Sequence, residues 1–205
     1  MSKALKGFIL SGPSGAGKIT LAEIVLSMLP QYIERVITTT TRSPRKKDNG
    51  DFEEEGKDYY FVSKDRFCKE ESDGKFFESQ EVYGNYYGSY KHEVKRIWLK
   101  EKNPLFVIDV QGAQTLINTV PHTVSILIFP PNLKELEDRL KKRGDNPKNI
   151  QTRLQYARKE IVQAQHHFTY ALVNDSLFKA KEELMDVICH EIIGTPLTQY
   201  THRKF

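Results

Sequence analysis

The sequence predicts an α/β fold in which a parallel central sheet is flanked by helices. Three observations indicate this fold. Short apolar runs alternate with segments of helical periodicity. A glycine-rich loop joins the first run to the first helical segment. Residues 38–91 differ from the rest in composition, because polar loops and charged runs alternate there with tyrosine-rich pieces. Alternating strands and helices are typical of parallel sheets that carry helices on both faces. For a chain of 205 residues, we expect one domain with an inserted subdomain.

The composition is that of an ordinary soluble globular protein, with 39% hydrophobic and 28% charged residues. The net charge of +4 suits a phosphate-bearing ligand. The longest basic cluster, RSPRKK at 42–47, is shorter than the Lys/Arg stripe typical of nucleic-acid binding. Cys68 and Cys189 have no metal-ligand or disulfide spacing, which favours a reducing cytoplasm. No apolar stretch reaches about 18 residues, so we expect no membrane span.

The first strand and the first helix enclose the glycine-rich loop. The apolar run GFILS at 7–11 has the length of a buried strand. After the loop, apolar residues recur with helical spacing, namely Leu21, Ile24, Val25, Met28 and Leu29, and Pro30 ends the helix. The β-branched run RVITTTTR at 35–42 predicts one strand that runs into a turn at Ser43 and Pro44.

The segment that follows, up to about Lys91, alternates polar loops and charged runs with tyrosine-rich pieces such as DYYFV and NYYGSY. This texture predicts a small inserted subdomain with its own sheet.

The core pattern returns in the second half of the chain. Buried strands are predicted for LFVID at 105–109, VSILIF at 124–129 and YALVN at 170–174. Helices are predicted for 132–143, 150–164 and 179–193. The first of these has Asn132 as its N-cap and leucines 133, 136 and 140 on one stripe. Pro147 predicts a loop between the first two helices.

The loop GPSGAGK at 12–18 carries the chemistry of a phosphate site. Gly12, Gly15 and Gly17 let backbone N–H groups surround an anion, and the following helix N-terminus adds positive potential. Lys18 supplies a point charge for β- and γ-phosphates. The alternative is a plain glycine-rich turn with an exposed lysine, but the spacing and the strand–helix context favour the phosphate loop. The predicted ATP-binding residues here are Gly12, Pro13, Ser14, Gly15, Ala16, Gly17, Lys18, Ile19 and Thr20.

The pattern departs from expectation directly after the lysine, where Ile19 replaces a hydroxyl residue that would touch Mg²⁺. Thr20 does not stand in simply, because one step along a helix rotates a side chain by about 100°. Mg²⁺ keeps several waters and rests on substrate phosphates. We therefore expect the ion to be held mainly by phosphates and water, with metal affinity weakened about tenfold to hundredfold.

Seven motifs together resemble guanylate kinase, a nucleoside-monophosphate kinase family. They are SGPSGAGK, TTTTRSPR, GKDYYFVS, NYYGS, IDVQGA, RLKKRG and VNDSLFKA, spread from about Gly7 to Asp186. The resemblance implies a P-loop kinase fold and transfer of a phosphoryl group from ATP to GMP with Mg²⁺. It implies a core of 1–37 and 92–205 with a lid at about 136–155, and a GMP-binding subdomain of 38–91.

The resemblance also implies a set of GMP-binding residues: Thr38, Arg42, Arg45, Tyr59, Glu78, Tyr87, Ser89 and Asp109. Two guanidinium groups suit a dianionic phosphate, and the two tyrosine hydroxyls match positions that touch it. Glu78 matches the carboxylate that accepts from the N1–H and N2–H₂ groups of guanine, whereas adenine lacks both donors. Without the resemblance, each of these residues reads as an ordinary loop charge or core aromatic.

The remaining implied site residues lie in the second half of the chain. Arg139, Arg143 and Arg153 match lid arginines that fold over the triphosphate, and positioned cations do most of the catalytic work in phosphoryl transfer. With Lys18 they are the predicted catalytic residues. Their alternative interpretation is a basic solvated helix face. Asn174 matches a residue near the adenine. Val107 is a second departure, since the family usually has an acidic residue two positions before Asp109.

Three hypotheses follow. The first is an active ATP:GMP phosphotransferase, with dGMP as a further candidate substrate and with its oligomeric state left open. The second is a non-catalytic protein-interaction module, which would typically lack the loop glycines and lysine that this chain keeps. The third is nucleic-acid binding, although the tyrosines are not interleaved with basic residues as in a stacking platform.

Overall fold

The computed structural model describes residues 5–47, 50–120, 122–164 and 167–197. The strands in this part of the chain are β1 (Gly7–Ser11), β2 (Ile33–Arg35), β3 (Thr38–Thr40), β4 (Tyr60–Phe61), β5 (Phe76–Val82), β6 (Asn85–Tyr90), β7 (Asn103–Val107), β8 (Thr123–Phe129) and β9 (Tyr170–Val173). The helices are α1 (Lys18–Met28), α2 (Lys64–Ser72), α3 (Lys91–Trp98), α4 (Val110–Thr119), α5 (Leu133–Lys142), α6 (Pro147–Ala164) and α7 (Leu177–Ile193). None of these helices combines the length and apolar character needed to cross a bilayer.

The main sheet is parallel throughout, in the order β2-β7-β1-β8-β9, so the predicted fold class is confirmed. Successive side chains of the central strand β1 point to opposite faces. Phe8 and Leu10 pack with α1 and α7 on one face, whereas Ile9 packs with α3 and α4 on the other. Because both faces are covered, β1 is buried along its whole length, and its carboxyl end delivers the chain into the glycine-rich loop.

A second sheet, in the order β4-β3-β6-β5, lies within residues 38–90. Its β3–β4 pair is parallel, and the other two pairs are antiparallel. The sheet has its own small apolar cluster, in which Phe67 of α2 stacks on Phe76 with ring centroids 4.7 Å apart, and Phe76 stacks on Tyr90 at 4.6 Å. The sheet combines β3, which precedes the tyrosine-rich segment of the sequence, with three strands inside that segment.

Two local predictions were wrong. The run 35–42 forms two strands rather than one, because β2 pairs with β7 in the main sheet while β3 pairs with β6 in the second. The chain changes sheets at Val36 and Ile37, and the Val36 amide still donates to the carbonyl of Leu105. Pro147 is the first residue of α6 and not part of a loop, since the first turn of a helix needs no N–H there.

A buried carboxylate ties the two sheets together where the chain crosses between them. Glu93, on α3, accepts hydrogen bonds from the Tyr60 hydroxyl at 3.0 Å and from the Ile37 amide at 3.3 Å. Arg96 donates to it through Nε and Nη2, each at 3.0 Å. Burial works to raise the pKa of Glu93, but the bonds from Arg96 outweigh it and the pKa is lowered. The ionised carboxylate of Glu93 therefore accepts hydrogen bonds from three separate segments of the chain.

We expect Glu93→Ala to lower the free energy of unfolding by about 2–4 kcal/mol, because the Tyr60 hydroxyl and the Ile37 amide lose their acceptor and the half-exposed Arg96 loses one of its two carboxylate partners. Urea denaturation at neutral pH measures the change. The exposed Glu23 of α1 provides the matched control, and Glu23→Ala should change stability by less than about 0.5 kcal/mol. Equal effects of the two substitutions would contradict the role given to Glu93.

Candidate active site

The glycine-rich loop, residues 12–17, lies between β1 and α1 at the carboxyl edge of the main sheet. Its three glycines have positive φ, with values of 138° at Gly12, 91° at Gly15 and 93° at Gly17. A Cβ at Gly12 would lie 2.1 Å from the carbonyl oxygen of Ile128 in β8, so a side chain cannot be accommodated. The loop is thus pressed against the neighbouring strand, and its backbone leads directly into the N-terminus of α1, which favours anions.

Lys18 folds back over this loop. Its Nζ donates to the carbonyl oxygens of Gly12 at 2.6 Å and Pro13 at 3.0 Å. Burial lowers the pKa of Lys18, although the carboxylates of Glu160 and Asp109 oppose the shift. The ammonium group of Lys18 therefore lies at the glycine-rich loop. The negative charges of Glu160 and Asp109 act on it.

The structure offers few metal ligands around the loop. The Ile19 side chain is 47% exposed, and Thr20 is exposed beside it. Val107 packs against the apolar core. Within the described ranges, no group of three or more His, Cys, Asp or Glu side chains is arranged to hold a metal ion.

Three predicted guanine-binding residues lie in a row across the second sheet. Thr38 of β3 is paired with Ser89 of β6, and Ser89 is paired with Glu78 of β5. The Ser89 hydroxyl donates to Glu78 Oε1 at 2.7 Å. Glu78 is only 3% exposed, and its Oε2 has no hydrogen-bond partner in the described part of the chain. Burial, reinforced by the charge of Asp109 and opposed by Ser89, raises the pKa of Glu78 to about 7.

The first turn of α4 closes on Glu78 from the core side. Asp109 caps this helix by accepting from the Gly112 amide at 3.0 Å. Gln80, two residues after Glu78 on the same face of β5, donates from Nε2 to Asp109 Oδ1 at 2.5 Å. A Cβ at Gly112 would lie 2.9 Å from Glu78 Oε2. Sequence reasoning missed Gln80, although its two-residue spacing from Glu78 was a usable signal.

The predicted phosphate-binding side chains form a second cluster near the end of β3. The Arg42 guanidinium lies 4.6 Å from the centre of the Tyr59 ring, and the Tyr59 and Tyr87 rings are 6.5 Å apart. Glu53, which sequence reasoning missed, pairs with both terminal nitrogens of Arg42 at 2.5 and 2.7 Å. It also accepts from the Arg45 amide at 2.8 Å. Arg42 is thus anchored by a carboxylate, whereas the Arg45 side chain is exposed.

The three predicted lid arginines point to different parts of the site. Arg153 of α6 donates from Nη1 to the Ser14 hydroxyl of the glycine-rich loop at 2.6 Å. Arg139 of α5 donates to the carbonyl oxygen of Asn174 at 2.8 Å. Arg143 pairs with Asp145. Only Arg153 therefore makes a direct contact with the loop among the bonds described.

Asn174 lies beside the same loop. Its Nδ2 donates to the carbonyl oxygen of Ala16 at 2.9 Å, and a Cβ at Gly17 would lie 2.2 Å from that nitrogen. The chain after β9 therefore packs directly on the loop, together with Arg139 from α5.

A cavity of about 200 Å³ joins the phosphate-binding cluster to the lid helix. It is lined by Arg45, Val82, Tyr83, Asn85, Tyr87, Asn149, Thr152 and Arg153. Residues from the second sheet thus face Arg153 across one space. A larger and more open cavity of about 570 Å³ lies near β2 and contains none of the predicted site residues, so we do not assign the chemistry to it.

A central parallel strand, a glycine-rich loop, a lysine folded over it and an arginine-bearing helix that contacts it define a P-loop phosphotransferase. The guanylate kinase family profile matches residues 4–191. The chain therefore belongs to the guanylate kinase family.

Similar proteins agree with this assignment. A guanylate kinase of Chlamydia felis is 40% identical over 187 residues, which cover 91% of this chain and 88% of that protein. A guanylate kinase of Maricaulis maris is 42% identical over 181 residues, covering 87% and 80%. The crystal structure of guanylate kinase from Anaplasma phagocytophilum superposes with a TM-score of 0.72 at 30% identity, covering 95% of this chain and 90% of that one.

The raised pKa of Glu78 generates a prediction about stability. Its folded-state pKa of about 7 exceeds the ordinary value of 4.5, so its contribution to stability is fully present below about pH 4.5 and is lost as the pH rises through about 7. We expect Glu78→Gln to match the parent protein near pH 5 and to be more stable at pH 8, by up to roughly 3 kcal/mol.

Denaturant unfolding at both pH values, without nucleotide, measures this difference. The control is Glu81→Gln on the exposed part of β5, which should show no such pH dependence. A Glu78→Gln variant that loses stability at pH 8 would contradict the burial of an unpartnered carboxylate oxygen.

Proposed function

We propose that this chain transfers the γ-phosphoryl group of ATP to GMP, giving ADP and GDP. The observation that carries the proposal is the buried Oε2 of Glu78, for which the described residues supply no donor. Guanine offers adjacent N1–H and N2–H₂ donors to such an acceptor. Adenine presents a lone pair at N1, which would face the carboxylate, and a site of this kind rejects the wrong base strongly.

A second buried acceptor supports the same base. Gln80 Oε1 also has no partner among the described residues, and Asp109 holds the amide by accepting from its Nε2. Because Asp109 is an acceptor, the amide oxygen is the atom that faces away from it. Glu78 and Gln80 together present acceptors on one face of β5, which suits a base edge with more than one N–H group.

The phosphate of GMP would lie at the cavity that Arg45 and Tyr87 share with Arg153. Arg45 is exposed and supplies positive charge, while Arg42 is held by Glu53 beside the Tyr59 ring. A dianionic phosphate suits guanidinium and hydroxyl donors from several directions. The cavity lies between these residues and the lid helix, so an oxygen of this phosphate would face the triphosphate site.

The transfer itself needs positioning and charge. An oxygen of the GMP phosphate forms a bond to the γ-phosphorus of ATP, and the bond from that phosphorus to the β–γ bridging oxygen breaks, so ADP leaves. No protein nucleophile takes part. Lys18 at the loop and Arg153, which contacts Ser14, supply cations where negative charge spreads over the transferring group. Asn174 bonds to the Ala16 carbonyl of the loop, and Arg139 bonds to the Asn174 carbonyl; in this proposal Asn174 would lie near the adenine and Arg139 would serve the triphosphate.

We infer that Mg²⁺ accompanies ATP and neutralises charge on its phosphates. The residues present fit this ion only in part, since Ile19 and Val107 provide no oxygen where the family offers one. Thr20 is the nearest hydroxyl in sequence and is exposed. We also infer a reducing, cytoplasmic setting, because Cys68 and Cys189 are both free thiols.

The base-reading role of Glu78 is tested with alternative acceptors. We expect ADP release to depend on GMP and not on AMP, and we expect Glu78→Gln to lower kcat/KM for GMP by about 100-fold or more. In the parent protein, KM for GMP should rise as the pH falls through about 7, because the protonated carboxyl must lose its proton to accept from guanine.

A coupled ADP-release assay between pH 6 and 8 measures both effects. Retention of AMP as a substrate at a rate comparable to GMP would refute the role of Glu78. Binding of GMP without any ADP release would instead favour a non-catalytic module.

The position after the lysine makes a separate prediction. We expect Ile19→Ser to lower the Mg²⁺ concentration for half-maximal GMP-dependent turnover about tenfold or more, because a hydroxyl adds one oxygen ligand. The matched control is Ile193→Ser, at an exposed isoleucine near the end of α7. An unchanged Mg²⁺ dependence in Ile19→Ser would show that this position does not limit metal binding.

A further inference from the structure

Tyr83 occupies the tip of the β5–β6 hairpin in a backbone conformation that a tyrosine disfavours. Val82 pairs with Asn85, so the turn consists of Tyr83 and Gly84 alone. Their φ values are 51° and 78°. Two-residue hairpin turns with positive φ at both positions strongly favour Asn-Gly, and a bulky aromatic residue is an outlier there. The local structure therefore gives no reason for a tyrosine.

The tertiary structure does give one. The Tyr83 ring meets the Tyr156 ring of α6 edge-on, with centroids 5.2 Å apart and an interplanar angle of 79°. The Arg153 guanidinium lies 5.2 Å from the centre of the Tyr83 ring. Arg153 and Tyr156 are three residues apart on α6 and share one helix face. The hairpin tip of the second sheet thus contacts the lid helix through an aromatic pair and a cation–π contact.

The contact with the Tyr83 ring leaves the N–H donors of Arg153 available for other partners. A cation–π contact restricts the position of a guanidinium without using its N–H donors. One of them reaches the Ser14 hydroxyl at 2.6 Å, and Nε lies 3.8 Å from Asp145 Oδ2. The same guanidinium lines the cavity that Arg45 and Tyr87 share.

Tyr83 remains a neutral phenol in this position. Burial, reinforced by the charge of Glu160, raises its pKa to about 12. Tyr83 is still 42% exposed, so it belongs to the rim of the site and not to an apolar core.

We propose that Tyr83 is a positioning residue that holds Arg153 over the transferring phosphoryl group when the GMP-binding sheet meets the lid. The inference rests on the proposed function. The hairpin already contacts α6 in this structure, and through that contact Tyr83 orients the arginine.

Tyr83→Asn separates this role from a structural one, because Asn-Gly is the preferred turn sequence. We expect the variant to unfold at the same temperature as the parent or higher, while kcat falls about 10- to 100-fold. KM for GMP should change less than kcat does, because Tyr83 lines the cavity beside Arg45 and Tyr87 but adds no charge to it. Tyr83→Phe keeps the ring, and we expect it to retain kcat within about threefold.

A double-mutant cycle with Arg153→Ala tests whether Tyr83 acts through the arginine. In the Arg153→Ala background, Tyr83→Asn should have no further effect on kcat. A full-speed Tyr83→Asn variant, or losses that multiply in the double variant, would overturn the inference while leaving the proposed function intact. A parent protein without GMP-dependent ADP release would refute the proposed function, and this inference with it.

Discussion

The close approach of the glycine-rich loop to β8 is the constraint on which the rest of the site depends. The loop can lie against the Ile128 carbonyl only because Gly12 has no side chain, and in that position its own carbonyls and hydroxyl become the reference points for the surrounding residues. Lys18 bonds to the loop from α1, Asn174 from the segment after β9, and Arg153 from α6. The adjacent Lys18 and two distant parts of the chain are thereby aligned on one backbone segment.

Two buried carboxylates, Glu93 and Glu78, differ in the number of hydrogen-bond donors around them. Glu93 is fully partnered and holds the crossing between the sheets, so its charge stabilises the fold. Glu78 is equally buried but has an oxygen without a donor in the part of the chain that the structure describes. The first carboxylate has a lowered pKa and the second a raised one. Burial raises the pKa of both, and the difference lies in the available donors. A carboxylate left short of donors is poised to receive them from a ligand.

The predicted phosphate-binding cluster near the end of β3 contains one arginine, Arg42, that other side chains hold in place. Arg42 pairs with the Glu53 carboxylate and lies against the Tyr59 ring, and these contacts restrict its side-chain rotamers. Such preorganisation reduces the entropy lost on binding. Arg45, by contrast, is exposed beside it. The two arginines that share a motif in the sequence therefore differ in exposure and in side-chain partner.

The sequence by itself determined the main strands, the glycine-rich loop and the family, because these depend on local apolar runs and on short motifs with fixed spacing. The sequence also identified Thr38, Ser89 and Glu78 as candidate GMP-binding residues. Their alignment across three strands, however, required the register of the sheet.

Only the tertiary structure decided the break at Val36, where neighbouring residues join different sheets. It also decided the partners of Glu53, Gln80 and Tyr83, and the divergent directions of the lid arginines. These contacts join residues far apart along the chain or depend on side-chain direction. Neither periodicity nor motif spacing encodes such pairings, because they arise when separately folded segments pack against one another.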